Sequence, residues 1–179
     1  MNRFHRRSAY VSAVILVIVL LVARQVVFLK YVMPSEKMLP TIRPGDIVII
    51  NRWSYRLHSP ARGDIALFSV VLPRPFGTST KPSHSISRIM GLPGDVIEVR
   101  GGVLRRNGSP LNEPYVLEPG QYQYMLKPCK VPEGRLFVLG DNRDNSFDSS
   151  YYGPVKVDQV VGKVWIHLRL GSAQGKCKS

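Results

Sequence analysis

Cys129 and Cys177 are the chain's two cysteines. Two thiols cannot fill a Cys₄ zinc site or staple a disulfide-dense scaffold. Paired with each other they form one disulfide, and only in an oxidising compartment, with Cys177 in a polar tail. The charged side chains point to a different chemistry. Lys and Arg number 25 against 12 Asp and Glu, a net charge of +13 over 179 residues. Such a surplus suits either nucleic acid or an anionic membrane surface. Arg3, Arg6, Arg7, Arg24 and Lys30 fall in the first 30 residues without a single acid, which leaves +8 on the rest.

The segment beside those arginines decides between the two surfaces. Residues 9–23 (AYVSAVILVIVLLVA) are almost wholly apolar, and Val26–Leu29 resume the run after Arg24-Gln25. Together they reach the ~20 residues of a helical span if Arg24 snorkels. The preceding arginines hold the N-terminus in the cytoplasm. A cleaved signal peptide is the alternative, but Leu21 and Arg24 around Ala23 make a poor small-x-small cleavage site. The expected organisation is a cytoplasmic flank over 1–7, a transmembrane anchor over 8–29 and an exported domain over 30–179. Nucleic acid is excluded as a partner on that topology, and the lipid bilayer is expected as one.

The exported part reads as all-β. With 15 Gly and 14 Pro, its apolar stretches are short and turn-bounded. Strands are expected at Asp46–Ile50, Asp64–Phe68, Arg135–Leu139 and Gly162–Ile166. Val96–Arg100 and Val103–Arg106 around Gly101-Gly102 read as a hairpin. Pro73–Ser85 (PRPFGTSTKPSHS) reads as a polar loop. The apolar surface near Met33–Leu39, close behind the anchor, is expected to touch the bilayer.

Four segments of this domain carry a family resemblance. Met33–Asp46 (MPSEKMLPTIRPGD), Arg62–Phe68 (RGDIALF), Ser87–Asp95 (SRIMGLPGD) and Gly140–Ser149 (GDNRDNSFDS), the last continuing through Tyr152-Gly153-Pro154-Val155, resemble the four conserved boxes of type I signal peptidases, in the same order. The resemblance implies a membrane-bound serine endopeptidase that removes signal peptides from exported pre-proteins, with a possible partner in the export machinery. It further implies a Ser–Lys dyad, in which apolar burial keeps the lysine neutral, and no cofactor or metal. His58, His84 and His167 then have no catalytic role.

The sequence departs from that pattern at the dyad itself. The family's nucleophile position, within Pro34-Ser35-Glu36-Lys37-Met38, holds Lys37. Its general-base position, just before Arg88, holds Ser87. The two residue types are exchanged. Ser35 matches the oxyanion-hole hydroxyl, Ser146 the serine that supports the dyad lysine, and Asp148 a structural carboxylate. The family often follows that Asp-Ser with Arg, where this chain has Ser150; Arg88 or Arg143 is a candidate for the missing charge. Asp141, Asn142 and Arg143 are expected to be scaffold.

The exchange is costly in reach. A serine hydroxyl stands ~2.4 Å from its Cα and an extended lysine amine ~6 Å. Ser87 Oγ would sit recessed toward its own strand while Lys37 fills the carbonyl's place, and ~1 Å of misplacement costs ~100-fold. An inactive or strongly impaired homologue is therefore the first expectation. A working peptidase with Ser87 as nucleophile and Lys37 as base is the second.

Overall fold

The computed structural model describes residues 10, 13–18, 27–70, 73–74, 77–78, 83–116 and 122–169. Thirteen strands follow in chain order: β1 Phe28–Val32, β2 Ile47–Asn51, β3 Ile65–Val70, β4 Pro73–Arg74, β5 Gly77–Thr78, β6 Ser83–Gly91, β7 Val96–Arg100, β8 Val103–Arg106, β9 Ser109–Pro110, β10 Leu126–Lys130, β11 Arg135–Leu139, β12 Val155–Lys156 and β13 Val160–Leu168. Two one-turn helices, Ser54–Leu57 and Ser149–Tyr152, interrupt them. All the strand pairings are antiparallel, so the expected β domain is present.

Seven strands form the main sheet in the order β1-β2-β13-β3-β6-β11-β12, and β10-β7-β8-β9 form a smaller one. Side chains alternate between the two faces of a strand. Leu67 of β3 joins Met33, Met38, Ile42, Val48, Ile50 and Ile86 in one core, while Ala66, Phe68 and Val70 join Ile89, Leu136 and Val138 in another. A sheet covered on both faces needs near-continuous apolar strands, which is why Asp64–Phe68 and Arg135–Leu139 scarcely alternate. Phe137 and Leu139 reach a third core with Ile97, Val99 and Leu104 of the small sheet. The β7–β8 hairpin turns at Gly101 and Gly102, with φ of 60° and 73°. Those values suit a two-residue turn that only residues tolerant of positive φ can make.

Three expectations are corrected. Phe28 and Leu29 do not continue an N-terminal helix; they open β1, opposite Asn51 and Ile50, and Phe28 stacks on Trp165 at 4.9 Å. Most of residues 8–29 lie outside the described residues, as does Cys177. Among the described residues no helix is long and apolar enough to cross a membrane. Ser83, His84 and Ser85 are not loop but the first residues of β6, opposite Val70, Ser69 and Phe68. Met33 and Met38 are core residues, 1% and 0% exposed. The exposed apolar side chains nearby are instead Val32, Trp165, Ile166 and Leu168 on β1 and β13.

Candidate active site

The turn linking β1 to β2 carries Lys37 onto the face of β6. Met33 and Met38 bury on either side of it, and the Met33 N–H donates to the Asp46 carbonyl at 3.0 Å, which fixes the loop's ends. The Asn142 N–H donates to the Lys37 carbonyl at 3.0 Å. Across the gap, Ser85 and Ser87 lie two residues apart on β6 and so share a face. The Lys37 amine donates to Ser87 Oγ at 2.9 Å and to Ser85 Oγ at 2.7 Å. Lys37 and Ser87 are thus in contact, and a third group that sequence reasoning missed, the Ser85 hydroxyl, lies beside them. Its signal was the alternation Ser83-x-Ser85-x-Ser87, which extends the strand back into what reads as loop.

Burial lowers the Lys37 amine to about 8, against the opposing attraction of Asp148. Taking an ammonium out of water disfavours its charged form, so a neutral, basic amine is accessible near neutral pH. The two hydroxyls differ in access. Ser87 is 1% exposed. Ser85 is half-buried and lines a groove of about 420 Å³, bounded also by residues 34–37, by Ser83 and His84, and by Asn145 and Phe147. Ser35 lies exposed along this groove.

The remaining site residues brace the loop. Ser146 Oγ donates to Asp148 Oδ2 at 2.5 Å, so its described partner is this carboxylate and not the lysine the resemblance implies. Asp148 also accepts from the Gly140 N–H at 2.9 Å. Its other oxygen accepts from Ser150 N and Oγ at 3.0 and 2.8 Å, capping the Ser149–Tyr152 helix. Ser150 therefore bonds Asp148 directly. Neither candidate arginine supplies the missing charge there. Arg88 forks onto Asp141 at 2.8 and 2.6 Å, and Arg143 onto Glu113 at 3.0 and 2.5 Å. Asp141 also accepts from Thr41 Oγ1 at 2.5 Å, while Asn142 and Arg143 hold backbone in place, Asn142 Nδ2 donating to the Glu36 carbonyl at 3.2 Å and Arg143 Nε to the Gly140 carbonyl at 2.9 Å.

Gly140 is required by closeness. An added Cβ would stand 2.5 Å from the Lys37 carbonyl oxygen and overlap the Ser146 side chain. Gly140→Ala is expected to push the Lys37 loop outward and destabilise the protein by about 1–3 kcal/mol, the usual cost of overpacking. Urea unfolding measures it; an unchanged midpoint would show that the loop gives way freely.

Residues 6–168 match the family described as signal peptidase, peptidase S26. The chain is 37% identical over 177 residues to the probable signal peptidase I-1 of Synechocystis, covering 99% of this chain and 89% of that one. It is 41% identical over 145 residues to a signal peptidase I of Leptolyngbya laminosa, covering 77% and 69%. A crystal structure of a signal peptidase I from Enterococcus faecalis aligns at 34% identity with a TM-score of 0.47, over 60% of this chain and 98% of that one. With the family match spanning most of its length, the chain belongs to the signal peptidase, peptidase S26, family.

Proposed function

We propose that this protein binds the signal-peptide junction of exported pre-proteins in the groove beside Lys37, and that Ser87 cleaves it slowly or not at all. The reading rests on one observation: Ser87 Oγ lies beneath the Lys37 amine, 1% exposed and off the groove wall. A carbonyl in the groove would meet the amine before it met that hydroxyl, and attack needs atoms ~3–3.5 Å apart. The apolar run that precedes β1 serves as a cell-membrane anchor, with the N-terminus cytoplasmic and the β domain from Phe28 onward on the exported side. The exposed apolar side chains at 14–18 and the basic Arg3, Arg6 and Arg7 support that topology. Trp165, Ile166 and Leu168 would face the bilayer, since exposed aromatic and aliphatic side chains favour its interface. An export-machinery subunit would then be a partner on the same side.

The 2.9 Å contact and the lowered Lys37 amine favour a second reading, a working peptidase with Ser87 as nucleophile and Lys37 as base. One experiment separates the two. The detergent-solubilised full chain is mixed with a pre-protein that carries a photo-crosslinker next to its cleavage site. The first reading expects crosslinks to residues 34–37 or 83–85 and little mature product. Cleavage at a rate typical of signal peptidases, abolished by Ser87→Ala, would establish the second. Absence of any crosslink would remove the groove as the binding site.

A further inference from the structure

We propose that Ser85, and not Ser87, presents the hydroxyl that Lys37 activates toward a carbonyl in this groove. The proposal rests on the groove as the peptide-binding surface, and it names the group there with nucleophilic capacity. One amine holds two hydroxyls, Ser85 Oγ at 2.7 Å and Ser87 Oγ at 2.9 Å. Only the first borders the groove. Successive same-face residues of a strand stand about 6.7 Å apart, so moving from 87 to 85 shifts the Cα by that much along β6. The long Lys37 side chain lies between the two and serves either.

A neutral amine has one lone pair and two N–H bonds. It accepts a proton from one hydroxyl while donating to the other. With Ser87 enclosed, its oxygen takes an N–H of Lys37 and turns the lone pair toward Ser85. Ser87 is then a positioning residue. It performs the lysine-orienting task that the family resemblance assigns to Ser146, whose hydroxyl is given instead to Asp148. Burial alone lowers the Lys37 amine to about 8, against the attraction of Asp148.

The step balances without an outside redox partner. The Ser85 O–H proton passes to Lys37 Nζ as Oγ bonds the carbonyl carbon. Collapse of the tetrahedral adduct breaks the bond to the leaving group, which takes the proton back from the Lys37 ammonium. Water then attacks the Ser85 ester and gives one proton to Lys37 Nζ; collapse of that adduct breaks the acyl–Oγ bond, and Oγ takes the proton from the Lys37 ammonium, which releases the acid and restores the Ser85 hydroxyl and the neutral amine.

The test uses p-nitrophenyl acetate on the full chain in detergent, with the acetyl group located by peptide mass spectrometry. The probe is small and needs no peptide binding, so its result is independent of the crosslinking assay. Acetyl is expected on Ser85, with a rate that climbs through about pH 8 and then levels as the Lys37 amine becomes neutral. Lys37→Met should slow labelling at least ~100-fold, the low end of what a positioned base contributes. Ser87→Ala should leave the label on Ser85 but move the rise to a different pH, because the amine loses a hydrogen-bond partner. Acetyl on Ser87, or on neither serine in protein shown folded by circular dichroism, would overturn the proposal. So would a labelling rate untouched by Ser85→Ala. If Ser85 is labelled while pre-proteins fail to crosslink, the nucleophile assignment stands and the groove's substrate reading falls.

Discussion

Restoring the usual order with Lys37→Ser and Ser87→Lys together is expected to raise pre-protein cleavage at least ~100-fold above the unmodified chain. The loop that carries position 37 is held on both sides by the buried Met33 and Met38, and its carbonyl by Asn142. A short hydroxyl there would border the groove beside Ser35. The amine introduced at position 87 would grow from β6 into the volume that the Lys37 side chain leaves, near Asp148. Neither single change should act. Lys37→Ser leaves hydroxyls without a base, and Ser87→Lys sets two amines against each other. Nucleophile and base work as one unit, so their effects are strongly non-additive. Mature-product formation by the four proteins decides it. A double variant no faster than the unmodified chain would show that exchange of the pair is not what limits cleavage.

Glu113→Ala is expected to cost about 3–5 kcal/mol of stability, the usual consequence of removing one partner from a buried ion pair. Both side chains of the Arg143–Glu113 pair are 2% exposed. Glu113 accepts two bonds from the guanidinium and a third from the Tyr122 hydroxyl, at 2.5 Å. Arg143 cannot shed its proton, so its charge would remain in the interior without a carboxylate to neutralise it. Glu113→Gln should cost less, because it keeps one acceptor and the packing. Thermal or urea melts of the two variants measure the difference, and a Glu113→Ala melt like that of the unmodified protein would refute it. The effect should reach the site as well, since Arg143 Nε holds the Gly140 carbonyl and Gly140 lies against the Lys37 loop.

What was readable in the sequence was mostly local. The β7–β8 hairpin announces itself because two adjacent glycines at its turn follow from backbone sterics alone. The contact between Lys37 and Ser87 was readable from motifs that each fix their own register. Ser85 was hidden by composition: Pro, Ser and Thr upstream disguise the start of a strand whose pairing with β3 is set by distant Phe68 and Val70. The partners of Arg88 and Arg143 were hidden for a different reason. Asp141 and Glu113 lie 53 and 30 residues away in the chain, and nothing local distinguishes them from other carboxylates. Glu113 in particular stands in no motif, yet it neutralises the arginine that anchors the site's loop.

The place of β13 in the main sheet has a consequence for how the sheet is held together. Residues 160–168 insert between β2 and β3, which are otherwise flanked only by β1 and β6. Without that stretch, no strand pairing would link the two halves of the sheet: β1 with β2, bearing the Lys37 loop at its end, and β3 with β6, β11 and β12, bearing Ser85 and Ser87. Each half presents an open edge, and strand edges of this kind invite pairing with the wrong chain. Joining them closes contacts between distant parts of the sequence, the kind that forms slowly. In the main sheet, β13 is therefore the strand that ties the groove's two walls together.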